Sequence, residues 1–465
     1  MSGIGSLFDI GRSALLAYQR ALQVTGQNVS NVNTPGYSRQ TAVLTAGPPA
    51  TEGAVSIGTG VQVQEIRRAV DGFIAGQLVD SQSSTGRFQA SRDALFQTQG
   101  FFQDASGTGI SAGMSDFFNA IQDVANNPSD RSARSVLLAQ AQTLAGQFNQ
   151  AASNIQDQRR SLDGQVQQTI GNVNDLATQI ADLNTQIAHA ETGGQPANDL
   201  RDQRDTLIQN LAQQININTL EDATGQVTVF VGRGQTLVSQ GTAASLVGTP
   251  NAGNSGYVDV QFLAKNSSTP VTISSVITNG SLKGLLDVRD TNLPNLLSSL
   301  DTLAGTLVTQ VNQIHQSGYG LDGSTGQAFF NPTGTTAATI SVALTDPQQI
   351  AASATATGIP GDNTNALALA GLQAQTQSAF GGITPNAFYA QTMADLGSSA
   401  QQADQQLTAQ SAIHDQLQAH QAQVSGVSLN EELVNMLQYQ RAFEAASKVI
   451  TTTDQLLQTI LAMKQ

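Results

Sequence analysis

Residues 27–40, Gln-Asn-Val-Ser-Asn-Val-Asn-Thr-Pro-Gly-Tyr-Ser-Arg-Gln, connect a long apolar-striped segment to the rest of the chain, and their chemistry is that of a turn. A residue before proline is pushed out of the helical region, so Thr34 closes the preceding helix, which must stop near Asn33. Pro35-Gly36 suits the central pair of a type II turn, where glycine supplies the positive φ. Upstream, Phe8, Gly11, Leu15, Tyr18, Leu22, Thr25, Val29 and Val32 recur at alternating steps of three and four. All but Gly11 and Thr25 are apolar, which is the pattern of a coiled-coil seam. Leu7, Ala14, Ala17, Ala21 and Val24 form a second row that widens the face. A lone amphipathic helix of this length is marginal in water and needs a partner.

The partner is expected at the opposite end of the chain. Leu429, Leu433, Met436, Leu437, Phe443, Ile450, Leu457, Ile460 and Leu461 mark a comparable stripe, and Ser428 with Glu431 spells a capping box at its start. Leu15, Tyr18, Leu22, Val29, Leu433, Leu437, Phe443 and Ile450 are therefore the candidate assembly-interface residues. On the residues alone, packing within a monomer and polymerisation stay equally open.

Composition narrows the function classes. Charged residues are only 12% of the chain, and its polarity comes largely from Gln, Asn, Ser and Thr, so subunits can pack closely without burying many ions. A formal net charge of -14 with no Lys/Arg cluster argues against nucleic acid and anionic membranes. No 18-residue apolar run is present, so no membrane insertion is expected. The absence of cysteine removes disulfides, metal thiolates and cysteine catalysis together. The N-terminus lacks the basic and apolar regions of a Sec signal peptide, which by itself suggests a cytoplasmic protein.

Between the ends, residues 40–44 and 61–66 read as short strands, and helical patterning runs from Asp71 to Phe102 and again from Met114. Gly107 to Gly113 separates the two, and Ser129 follows Asn127-Pro128 as a plausible N-cap. The strongest interior periodicity extends from Arg131 to Ala190, with bending expected at Gly164 and Gly171, and a second helix returns from Ala197 to Gln213. Alternation then takes over from Ile215, with strands expected at 226–231, 257–263 and 271–277. Helical patterning resumes over 282–316 with a boundary at Leu293-Pro294, a further strand is expected at Thr339 to Leu344, and helices at 365–377 and 388–424. The fold expected is mainly α with a β insertion. Its divisions are a terminal coiled-coil domain (1–36 and 425–465), a mainly helical rod domain (37–214 and 280–424) and an inserted outer β-domain (215–279).

Chemistry is sparse. The four histidines, at 189, 315, 414 and 420, make no His-Glu-x-x-His arrangement and read as solvated helix residues, so no metal, cofactor or catalytic residue is expected. Asp199, Asp202 and Asp205 share one helical face, with Arg201 and Arg204 interleaved, and read as a solvated, locally compensated face. Gly232-Arg233-Gly234 reads as a hairpin turn, and Asp322-Gly323 as a turn without the ligand series of a calcium loop.

The turn motif Asn33-Thr34-Pro35-Gly36-Tyr37, following an apolar-striped helix, resembles that of bacterial flagellar axial proteins. With Ser38-Arg39 it is most similar to the hook-associated protein 1 family of the hook–filament junction. Residues 425–432, Leu437 to Phe443, Lys448-Val449-Ile450 and Thr453-Asp454 resemble the terminal helix of the same family; 182–184, Ile187 and 198–205 resemble its interior helices. The resemblance implies an elongated, multidomain structural subunit with no enzymatic role. It also implies uncleaved export through the flagellar type III apparatus to the extracellular flagellum, which reverses the cytoplasmic reading. The partners it implies are a ring of like subunits, hook protein, the next hook-associated junction protein, and a cytoplasmic export chaperone at the C-terminal helix. Two alternatives stand beside it: another axial subunit of hook, rod or filament type, and a secreted protein that binds a surface or uses the acidic helix face as a hydrolase.

Overall fold

The computed structural model describes residues 2–52, 55–102 and 109–463. Helix α1 (Ser2–Ser30) ends three residues before Asn33, its ladder giving way to a turn in which the Thr34 N–H donates to the Asn31 carbonyl at 2.9 Å. The turn is of the type expected: the Tyr37 N–H donates to the Thr34 carbonyl at 3.2 Å and Gly36 has φ +79°. Strands β1 (Gln40–Ala46) and β4 (Val61–Arg68) pair antiparallel around a small hairpin, β2 (Ala50–Glu52) and β3 (Val55–Ile57).

Asp71 caps α2 (Gly72–Gly100), accepting from the Phe73 and Ile74 N–H groups. Part of the expected interruption over 107–113 lies outside the described residues; within them α3 (Ile110–Asn126) begins before Met114, since buried Ile110 adds a turn to the core-facing stripe. Asp130, not Ser129, caps α4 (Arg131–Ala190), because its carboxylate reaches the Ser132 N–H at 2.8 Å. Helix α4 runs unbroken through Gly164 and Gly171 and buries Leu144, Phe148, Ile155, Val166, Val173 and Ile180 along one stripe. Its 60 residues span about 90 Å at helical rise. Helix α5 (Asn198–Gln214) folds back along it.

Two antiparallel sheets follow. One has the order β5 (Ile217–Glu221), β6 (Val227–Val231), β7 (Gln235–Ser239), β8 (Thr242–Ala243); the other places β10 (Val258–Leu263) between β9 (Ser245–Pro250) and β11 (Val271–Thr272). Gly232 and Gly234, both at positive φ, turn β6 into β7 as expected. The strand expected over 271–277 is only two residues long, because the chain curls into a 3-10 turn that buries Ile273 and Ile277 on either side. The inner faces of both sheets join the stripe of α4 in one continuous core.

Helix α6 (Ser281–Asp287) passes through a π-helical turn at Val288–Asn292 into α7 (Leu293–His315). Pro294 lies in the first turn of α7, directly after the π-helical turn, at the boundary expected. The strand expected at Thr339 to Leu344 does not form: a single bridge joins Phe330 to Val342. The Asn312 side chain stands in for a strand partner, accepting from the Phe329 and Phe330 N–H groups and donating to the Phe330 carbonyl, while both rings enter the core beside Phe117. Helix α8 (Thr364–Gly371) stops well short of Gln377, at a glycine. Two long helices complete the chain, α9 (Pro385–Ser425) and α10 (Leu429–Ala462).

Candidate assembly interface

Helices α1 and α10 pack together and run antiparallel: Gly11 lies against Ile450, the Tyr18 and Tyr439 rings are 6.4 Å apart, and Asn28 meets Glu432. The side chains that α1 buries most are the small ones, Ala17, Ala21 and Val24, with Thr25 and Asn28. The seam chosen from large apolar residues lies to the side of that line; Leu15, Tyr18, Leu22 and Val29 are half-buried. The displacement follows from a third layer, since β1 and β4 also cover α1 and the line facing both neighbours admits only small residues. On α10, Phe443 and Ile450 are half-buried, whereas Leu433 and Leu437 are 51% and 57% exposed. Leu429, Val434, Leu456 and Leu461 are likewise exposed, so α10 carries an apolar face that no described part of the chain covers.

The turn motif at the end of α1 is held by a buried polar cluster. Asn28 accepts from the Tyr37 hydroxyl at 2.8 Å and the Gln40 N–H at 3.0 Å, and donates to the Gln40 carbonyl and Glu432. Burial, with Asp199, Asp202 and Glu432 nearby, pushes the Tyr37 hydroxyl far above its usual range, so it remains a donor. Arg39 fastens the turn to the end of α9 and to α10: its N–H donates to the Ser425 carbonyl and its guanidinium meets Glu431 at 2.7 Å. Glu431 therefore does not complete the expected capping box, in which Ser428 accepts from the Glu431 N–H at 3.5 Å.

The acidic face of α5 is only partly solvated: Asp199 is exposed, Asp205 half-buried and Asp202 buried. This face is the seat on which the turn and β1–β4 dock. Asp199 accepts from Gln27 and Gln40, and Asp202 accepts from the Ser38 N–H at 2.9 Å. Arg68 bridges Asp202 at 2.7 Å and Asp205 at 2.9 Å. Burial holds the Asp202 carboxyl above the usual range in spite of Ser38 and Arg68. Asn198 adds hydrogen bonds to the Ile66 carbonyl and the Gln40 side chain. Arg201 and Arg204 point the other way: Arg201 binds Glu191 and Glu221, and buried Arg204 donates to the Gly225 carbonyl and to Asn184, which clamps β6. In sequence the only trace of this joint is the polar interruption of the apolar stripe at Thr25 and Asn28, together with three aspartates spaced for one face.

The histidines divide differently from expectation. His315 is a core residue, with Nδ1 donating to the Gln327 carbonyl at 2.7 Å and Nε2 accepting from the Ala351 N–H at 2.9 Å, and burial pushes it down to about 4. Asp322 makes the expected turn, accepting from Ser324. Among the described residues no group of His, Asp and Glu could hold a metal ion, and no helix is long and apolar enough to cross a membrane.

Residues 95–330 match the family model described as the helical domain of the flagellar hook-associated protein FlgK. Residues 421–463 match the C-terminal segment of the basal body rod FlgEFG proteins, and 8–37 match the flagella basal body rod protein family. The chain is 30% identical to the flagellar hook-associated protein 1 of Bacillus subtilis, over 97% of each chain. To that of Escherichia coli it is 23% identical, over 99% of this chain and all of the other. The solved flagellar hook junction protein FlgK of Burkholderia pseudomallei superimposes with a TM-score of 0.68 at 19% identity, covering 75% of this chain and all of that one.

Proposed function

The chain belongs to the flagellar hook-associated protein 1 (FlgK) family, structural proteins of the hook–filament junction, and on that premise we propose that its terminal helix pair is the surface by which it assembles there. It is not an enzyme, and its place is the extracellular flagellum. The observation that carries the proposal is the uncovered apolar face of α10, centred on Leu433 and Leu437. Burying a large apolar side chain yields roughly 1.5–3 kcal/mol, and only association collects that from this row. Leu15, Tyr18, Leu22, Val29, Phe443 and Ile450 complete the interface between α1, α10 and neighbouring copies, and Asn33 to Tyr37 seat the pair on the body. The partners are further copies of the chain in a ring, hook protein below, the next hook-associated protein above, and an export chaperone that covers α10 before secretion. The division kept is a terminal domain of 1–36 and 425–465, a rod of 37–214 and 280–424 and a β-domain of 215–279, with the first enlarged by β1 and β4, because the separate small core of Ala21, Val24 and Ala42 includes a β1 residue.

The test is complementation of a deletion strain with Leu433→Asp/Leu437→Asp. Both side chains are exposed, so the body folds normally; hooks without filaments and flagellin lost to the medium are the expected result. Normal filaments on such cells would overturn the assignment of this face.

A further inference from the structure

Two contacts near the ends of the α1–α10 overlap limit how far one helix can slide on the other. At one end Gly11 leaves a notch that Ile450 fills, since a Cβ on Gly11 would stand 2.7 Å from Ile450 Cγ1. At the other, Asn28 Nδ2 donates to Glu432 Oε2 at 3.1 Å, with Asn28 only 1% and Glu432 3% exposed. The steps from 11 to 28 on α1 and from 432 to 450 on α10 come to about 26 and 27 Å at helical rise, so one register satisfies both contacts. We propose that Asn28 and Glu432 are the register-determining residues of the terminal helix pair, retained at a cost in stability because they exclude slipped pairings.

Apart from the Gly11 notch, apolar packing does not exclude them. Ala17, Ala21 and Val24 repeat at helical spacing as small side chains, and a slide of one heptad presents a similar surface. The polar pair breaks that degeneracy. A heptad slide one way sets Glu432 against Ala21, which offers no side-chain donor; the other way it sets Asn28 against the Tyr439 ring. Among the described residues no cation pairs with Glu432, so losing Asn28 leaves a buried carboxylate without its amide partner. Asn28 cannot follow a sliding partner, because Tyr37 and Gln40 pin it to the turn and to β1. A single buried asparagine fixes register in coiled coils by the same logic. The consequence for assembly rests on the reading above: each copy presents Leu433 and Leu437 at one height relative to its body.

The chain contains no cysteine, so introduced pairs report register without background. Ala21→Cys/Tyr439→Cys, level with each other in the observed register, reports that register and Ala21→Cys/Ala446→Cys a heptad slide, each read with a short bismaleimide on the purified full-length chain. With Asn28 and Glu432 intact, the first pair links at least about tenfold more than the second. In the Asn28→Leu/Glu432→Leu background the preference falls towards parity, while Glu432→Gln, which still accepts from Asn28, retains it. Exclusive 21–439 linkage in the double-leucine chain overturns the proposal. Loss of both links there overturns it too, since the pair would then be needed for helix association itself, and failure of both links with Asn28 and Glu432 intact would remove the register on which it stands. Motility of strains carrying Glu432→Gln or the double-leucine chain, without reporter cysteines, is read separately. Non-motile cells with native linkage count against the assembly reading and leave the register proposal standing.

Discussion

At single side chains, burial decides which polar groups carry stability. His315 satisfies both ring nitrogens only when neutral, and its pKa falls from 6.5 to about 4 in the fold. Because the unfolded chain then binds the proton more readily, stability from this group is complete above pH 6.5 and is lost as pH falls towards 4. The loss reaches about 3 kcal/mol at most, at roughly 1.4 kcal/mol per unit. His315→Asn should flatten the pH dependence of the urea midpoint across that window; an unchanged slope would refute the assignment. Arg68 offers a second case, since it serves Asp202 and Asp205 together. Arg68→Ala strands a buried carboxylate and should cost about 3 kcal/mol. Asp202→Asn still accepts from the Ser38 N–H and leaves Arg68 paired with Asp205, so it should cost distinctly less by urea unfolding. Equal losses would show that Arg68 acts by packing and not by charge. The aspartates were visible in the sequence as a spaced face, but their partner was not, because Arg68 lies more than a hundred residues earlier in the chain.

Among the elements, legibility followed the length of the repeat. Helix α4 was readable because 60 residues hold one stripe, long enough to override two interior glycines. Strands β7 to β9 were not, since Gly, Ser and Thr blur their alternation and their positions come from packing: Gly248 of β9 lies against Val258 and Ile170, leaving no need for a side chain. The terminal pair shows the same limit. Both helices and their pairing were legible in the stripes, whereas the innermost line fell on alanines because β1 and β4, invisible to helical periodicity, cover the same side. Gly11, which broke the apolar row, is instead where Ile450 packs against α1. Gly11→Val should push α1 off α10 and cost about 1–3 kcal/mol. Ile450→Ala should recover much of that loss in the double variant, a coupling measurable by a thermodynamic cycle on amide protection in α10. Additive losses would mean that the notch is not what sets the approach of the two helices.

Across the whole molecule, apolar burial is divided unequally. One continuous core runs from α3 through α4, both sheets and α7 to α9, while the terminal unit owns a separate cluster of Ala21, Val24 and Ala42 with Val63, Ile66 and Tyr439 at its edge. Between them the joint is polar, made by Asp199, Asp202, Asn198 and Arg68. Ordering each backbone residue costs about 1–2 kcal/mol, and net hydrogen-bond gains near 1 kcal/mol each do not offset that across two long helices with so small a core. The terminal unit should therefore open well before the body. By hydrogen exchange on the isolated full-length chain, amides of α1 and α10 should exchange through openings of lower free energy than those of α4, and the difference should shrink in assembled junctions. On the proposed interface a neighbouring copy would cover the exposed Leu433, Val434 and Leu437, adding the apolar burial that the monomer lacks. Equal protection of α10 and α4 in the monomer would show the pair to be self-sufficient, and assembly would then dock a finished surface without completing its fold.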